Sequence, residues 1–109
     1  MEMDIAIKAL AALAQETRLT IFRTLVQAGE SGLPAGHLAK ELNIPNATLS
    51  FHLKELTHAE LVSARQESRF IYYSANFATM NALLGYLTEN CCAGISYNSA
   101  EVCCDENNS

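Results

Sequence analysis

Thiols are missing from most of this chain. The first ninety residues contain no cysteine, and all four stand in the last nineteen, as the adjacent pairs Cys91-Cys92 and Cys103-Cys104. A free structural cysteine packs like a small hydrophobe and would be scattered through a core, so this arrangement points to a soft-ligand site appended to a domain that folds without it. Long hydrophobic runs are missing as well: none approaches the ~20 residues of a membrane span. Met1-Glu2-Met3-Asp4 lacks the positive charge with which a signal peptide begins. The expected location is therefore cytoplasmic, where thiols stay reduced, and metal binding or redox sensing is favoured over disulfides.

Basic charge is scarce too. Seven Lys and Arg stand against twelve Asp and Glu, a net charge of −5, which is the wrong sign for a nucleic-acid partner. Its distribution changes that reading. Residues 88–109 hold Glu89, Glu101, Asp105 and Glu106 and no base, whereas residues 1–87 hold eight acids against seven bases. The acidity belongs largely to the tail and says little about the surface of the body.

What is present is one small domain. The chain has 109 residues, half of them hydrophobic. A core can form, but a chain of this size is modestly stable alone and would gain from dimerisation. Residues 5–13, Ile-Ala-Ile-Lys-Ala-Leu-Ala-Ala-Leu, predict a helix apolar nearly all round, which must be buried, for instance against another subunit. Leu19, Phe22, Leu25 and Val26 mark one face of a second helix, stopped by Gly29. Pro34 opens a short third helix carrying Leu38 and Leu42. Asn43-Ile44-Pro45 breaks the chain and restarts it, Pro45 suiting the first turn of a fourth helix with Leu49, Leu53 and Leu56 as its apolar stripe. Residues 61–65 and 70–73 are β-prone, with Gln66-Glu67-Ser68 as a hairpin turn. Phe77, Met80, Leu83, Leu84 and Leu87 predict a fifth helix; past Asn90 the composition is tail-like. The expected division is a body over 1–90 and a Cys-rich acidic tail over 91–109.

Two short helices joined by a tight turn, then a hairpin, make a winged helix-turn-helix. The fold class is mainly α with a β-hairpin wing. Its second helix would fit the major groove, presenting the face opposite Leu49, Leu53 and Leu56. There Asn46 and Ser50 can bond base edges, Ala47 and Phe51 can touch thymine methyls, and Thr48 and Lys54 suit phosphates. Arg65 and Arg69 flank the hairpin tip, where an arginine can enter the minor groove or hold the backbone. A plain helical bundle, or a helix-turn-helix used to bind protein, fits the same periodicity; the latter predicts no salt-dependent DNA binding.

Glu16-Thr17-Arg18-Leu19-Thr20-Ile21-Phe22 resembles the second-helix signature of the ArsR family of metalloregulatory repressors. Leu38–Leu42 with Ala47–Leu56 resembles that family's helix-turn-helix, and His58–Val62 with Arg65–Tyr73 its wing. The resemblance covers roughly residues 5–90 and is specific in combination. It implies a homodimeric repressor that binds a two-fold symmetric double-stranded operator, with the first and fifth helices building the dimer interface. Two departures stand out. Ser68 replaces the usual glycine of the hairpin tip, implying a looser turn, and Phe51 stands where a polar or basic residue is common.

Several of the family's effector sites are missing. Residues 33–39 have no sulfur for the arsenic site of the third helix, residues 77–88 contain no Asp, His or Glu for the zinc or nickel site of the fifth, and no cysteine lies near the N-terminus. Cys91, Cys92, Cys103 and Cys104 remain. Thiolates select soft metals and metalloids; As(III) or Sb(III) takes three, zinc or cadmium four. Neighbouring cysteines on an intact helix project about 100° apart, so Cys91-Cys92 can act together only where the fifth helix has ended. The pair also resembles ArsR-type arsenic sensors whose site ends the last helix. The expected ligands are Cys91, Cys92 and Cys103, with Cys104 as substitute or fourth, and no organic cofactor. A disulfide redox switch, a Zn/Cd-type sensor and an uncoupled metal-binding tail remain alternatives. An enzyme is not expected, since neither a Cys-x-x-Cys at a helix start nor a phosphate loop is present. His52 reads as packed or near phosphate, and His37 and His58 are given no role.

Overall fold

The computed structural model describes residues 1–89; the boundary between body and tail and all four cysteines lie outside them. Five helices and three strands follow in the order α1 (Met3–Leu13), α2 (Glu16–Ala28), β1 (Leu33–Pro34), α3 (Ala35–Leu42), α4 (Asn46–His58), β2 (Val62–Glu67), β3 (Phe70–Ala75) and α5 (Phe77–Leu87). This is the expected winged helix-turn-helix, with one strand more than the sequence suggests. The antiparallel sheet has the order β1-β3-β2, and Leu33 and Pro34 pair with Tyr73 and Tyr72. Proline cannot donate to a ladder, so Pro34 is tolerated only because β1 is an edge strand. Gly32 delivers β1 to that edge. Its φ of +72° is in the left-handed region that glycine accepts and other residues rarely adopt, and a Cβ there would run into the backbone carbonyl of Tyr73.

Helices α3 and α4 end by the same device. At the end of α3, Asn43 is left-handed (φ 55°, ψ 49°). Its N–H donates to the Lys40 carbonyl at 3.3 Å, and that of Ile44 donates to Ala39 at 2.9 Å. At the end of α4, Glu60 has φ 62°, its N–H donates to Thr57 at 2.9 Å and that of Leu61 to Leu56 at 3.0 Å. These are paired Schellman bonds, which satisfy the last carbonyls of a helix and reverse the chain. The second one drops fully buried Leu61 into the core just before β2 starts. Pro34 and Pro45 cap α3 and α4 from the position before the first helical residue, one place earlier than the sequence reading puts them.

The core is built on Ile21, Leu25, Leu38, Leu49, Leu53, Leu56 and Leu61, all fully buried. The stripe expected on α2 is rotated: Phe22 and Leu25 are buried, but Ile21 takes the central position and Leu19 is exposed. The outer helices α1 and α5 pack on each other yet bury little of themselves. Only Ala6 and Ala9 of α1 and Leu83 of α5 are buried, while Met3, Ile7 and Leu10 and Leu84 and Leu87 face outward.

Candidate nucleic-acid interface

Helix α4 divides by chemistry. Leu49, His52, Leu53 and Leu56 are buried. All eight residues that the sequence assigns to DNA, Asn46, Ala47, Thr48, Ser50, Phe51, Lys54, Arg65 and Arg69, are exposed. At about 100° per residue, Asn46, Ala47, Ser50, Phe51 and Lys54 fall within one arc of roughly 140°, and Thr48 lies outside it, toward the His52 side. The arc therefore offers one amide, one hydroxyl, one ammonium and two apolar groups, a set that suits base edges and thymine methyls. Phe51 is 56% exposed, a large cost for an apolar side chain, and its ring lies T-shaped to that of His52, at 5.5 Å between centroids. No side chain caps the N-terminus of α4, so its first backbone N–H groups are open to an anion.

The wing differs from its sequence reading in two ways. Arg69 is in the hairpin turn, but Arg65 lies back along β2, directly across from Tyr72. It is held there from three sides. Its Nε donates to Glu67 Oε2 at 2.8 Å, its NH2 donates to the Ser31 carbonyl at 3.0 Å, and its guanidinium carbon stands 5.3 Å from the Tyr72 ring centre. Arg65 thus ties the wing to the segment before β1, and only Arg69 is a tip residue. The turn itself is not loose. Glu67 pairs with Phe70 across a two-residue loop, and Ser68 has φ 60° while Arg69 is not among the positive-φ residues. A positive φ at the first loop residue alone is the sign pattern of a type II′ turn, whose first position prefers glycine.

The sequence reading missed the role of Arg18. From the first turn of α2 its Nε donates to the Ala12 carbonyl near the end of α1 at 2.7 Å, and its NH1 lies 3.4 Å from Nδ1 of His52 on α4. Its own backbone N–H is capped by Gln15 at 2.8 Å. His52 is the one buried polar residue among those described. Burial first, and the Arg18 charge second, hold its pKa below the ordinary histidine value against the opposing pull of Glu55. The ring is packed, as the sequence suggested. His37 bonds Glu41 at 3.1 Å on the exposed face of α3, and His58 is exposed.

Among the described residues no group of three or more His, Cys, Asp or Glu is placed to hold a metal ion, and no helix is long and apolar enough to cross a membrane. Helix α5 ends at Leu87, with Thr88 as its C-cap, so it stops short of Cys91.

Known proteins share this arrangement. Residues 13–64 match a helix-turn-helix domain family. An uncharacterized HTH-type transcriptional regulator, YceK of Bacillus subtilis, is 39% identical over 77 residues, covering 70% of this chain and 76% of that protein. The arsenical resistance operon repressor of the same organism is 33% identical over 81 residues, covering 74% and 73%. Among solved structures, an ArsR-like transcriptional regulator from Rhodococcus superposes with a TM-score of 0.69 at 30% identity, over 77% of this chain and 76% of that one. A homodimeric winged helix-turn-helix DNA-binding domain from Mycobacterium bovis, described as a possible ArsR-family regulator, gives 0.63 at 25% identity, over 88% and 89%. The agreement joins sequence to shape: the chain belongs to the ArsR family of winged helix-turn-helix transcriptional regulators, and is no enzyme.

Proposed function

We propose that the protein is a homodimeric repressor that reads a two-fold symmetric operator with α4 and the wing, and that As(III) or Sb(III) bound by its C-terminal cysteines releases it. The observation that carries the DNA half is the exposed arc of Asn46, Ala47, Ser50, Phe51 and Lys54, set on a helix whose other side is locked into the core. Arg69 at the wing tip and the uncapped start of α4 supply phosphate contacts, with Thr48 at their margin. The dimer half rests on the apolar side chains that α1 and α5 leave exposed, and on the homodimeric relative from Mycobacterium bovis.

The effector half rests on donor chemistry. Three thiolates suit a trivalent metalloid, and Cys91, Cys92 and Cys103, with Cys104 as alternative, are the chain's only thiols. Helix α5 ends at Leu87, before the first cysteine pair, and neighbouring thiols can act together only where the chain is not helical; one relative is an arsenical resistance repressor. Metalloid binding just past α5 would strain the dimer helices and alter the spacing of the two α4 helices, a coupling of about 1–3 kcal/mol. Two adjacent thiol pairs also favour a second reading, in which a disulfide between pairs is the signal. Operator affinity of the reduced protein, measured with and without arsenite, separates them. Metalloid sensing predicts release by arsenite and loss of the response in Cys91→Ser; release by mild oxidant alone supports the redox reading. An affinity indifferent to both overturns the effector assignment.

A further inference from the structure

The link through Arg18 joins three elements with different duties. Ala12 sits near the end of α1, whose outer face is apolar; Arg18 opens α2; His52 sits on the buried side of the DNA-reading helix. The Ala12 carbonyl belongs to the last turn of α1, where no intrahelical donor is available, and a cation suits that end of a helix. Arginine cannot accept a hydrogen bond, so Nδ1 of His52 can be its partner only as the unprotonated acceptor of a neutral ring. One planar guanidinium thereby fixes the end of α1 and the rotation of α4 together.

We propose that Arg18 and His52 act as a positioning link that couples the α1 end of the dimer surface to the DNA-reading helix, and that protonation of His52 breaks it. This rests on the DNA-binding reading above. A protonated Nδ1 would confront the Arg18 guanidinium donor to donor, both cationic, across a part-buried contact. The groups around the ring leave it little relief. Glu55, one turn along α4, is the only acid that raises its pKa, and burial and Arg18 outweigh it. Lys8 of α1 and His58 of α4 line the same surface hollow as Ala12, Arg18 and Glu55, and neither is an acid that could pair with a protonated ring. The charged residues of α3 (His37, Lys40, Glu41) and of β2 (Arg65, Glu67) are not among the causes of its shift. Acidification would therefore free α4 to turn and end its register with the partner's reading helix.

The sign is diagnostic. Lowering the pH makes an acidic protein more positive and by simple electrostatics strengthens DNA binding; this link weakens it instead. The test uses the full chain and a duplex recovered with it from a random-sequence pool at pH 7.5. Failure of that selection removes the DNA-binding reading and this inference with it, whereas recovery of a duplex leaves the link to be judged on its own. Affinity is then followed down to pH 5, beside the His52 ring signals in the NMR spectrum. The expected result is a fall of about tenfold that tracks the His52 titration and persists in His37→Gln. His52→Gln, whose amide oxygen still accepts from Arg18, should keep its affinity at low pH. His52→Leu, which fills the core but cannot accept, should melt no lower than wild type yet bind several-fold more weakly at every pH. A stable His52→Leu that binds like wild type, or an acid loss undiminished in His52→Gln, overturns the proposal.

Discussion

Single residues here hold backbone conformations their chemistry does not favour, and each can be tested alone. Ser68 occupies the first position of a two-residue turn at φ 60°, where an L-residue costs roughly 1–2 kcal/mol relative to glycine. Ser68→Gly is expected to raise stability by about 1 kcal/mol in urea unfolding, with no change of fold. The replacement of the family's glycine thus produces a strained turn, not the looser one that the sequence suggests. His52 makes a prediction of a different kind. Its folded pKa is depressed by burial and by Arg18, so the unfolded chain binds the proton more readily. Its contribution to stability is complete above the unfolded value of about 6.5 and is lost as pH falls from there through the folded pKa. Unfolding free energies measured between pH 8 and pH 5 should show that loss in wild type and a shallower slope in His52→Gln.

At the scale of the element, α4 has to be both anchored and legible, and its two faces separate the effects of mutation. Leu53 is 2% exposed in the centre of the core, and its truncation to alanine should cost about 2–5 kcal/mol. Phe51 on the other face is mostly exposed and lies outside the core, so Phe51→Ala should leave the melting temperature within about a degree or two of wild type. If the arc enters the major groove, that same variant should weaken operator binding by about 1–3 kcal/mol and relax base preference at one position. Equal losses of stability and affinity in Phe51→Ala would mean that this face is not a reading surface. The wing obeys similar logic. Arg65 is committed to Ser31, Glu67 and Tyr72, which makes it a brace between wing and β1, while Arg69 is the residue left to reach a phosphate.

At the scale of the whole molecule, the described chain leaves its outer helices unfinished. Ile7 is 58% exposed and Leu84 53%, on helices that pack together and bury chiefly alanine toward the core. Joining two such surfaces would remove this apolar area from water at about 25 cal/mol per Å². Ile7→Glu combined with Leu84→Glu should shift the protein from dimer to monomer in sedimentation and abolish tight operator binding, while helix content measured by circular dichroism stays largely in place. A double variant that remains a dimer would place the interface elsewhere. Charge also belongs to this scale: the net −5 of the chain is concentrated beyond Leu87, so the body can meet DNA without an overall positive sign.

Local chemistry made much of this legible in the sequence. The helix-turn-helix follows from the Leu49-Leu53-Leu56 stripe, from an asparagine able to turn left-handed at position 43, and from Pro45. The wing follows from the run of β-branched and aromatic residues after Leu61. The exposed arc of α4 follows from helical periodicity, because whatever lies opposite a buried stripe must face out. Where an element depends on a distant partner, the sequence is silent. Two residues, Leu33 and Pro34, become a strand only because the Tyr72–Tyr73 edge of β3 offers hydrogen bonds. Ile21 displaces Leu19 from the core only because of how α2 settles between its neighbours. Arg18 and His52 are 34 residues apart, and no spacing rule connects an arginine that opens one helix to a histidine inside another. Periodicity is a property of neighbours along the chain; a buried polar pair is a property of packing, and only the tertiary structure could bring it together.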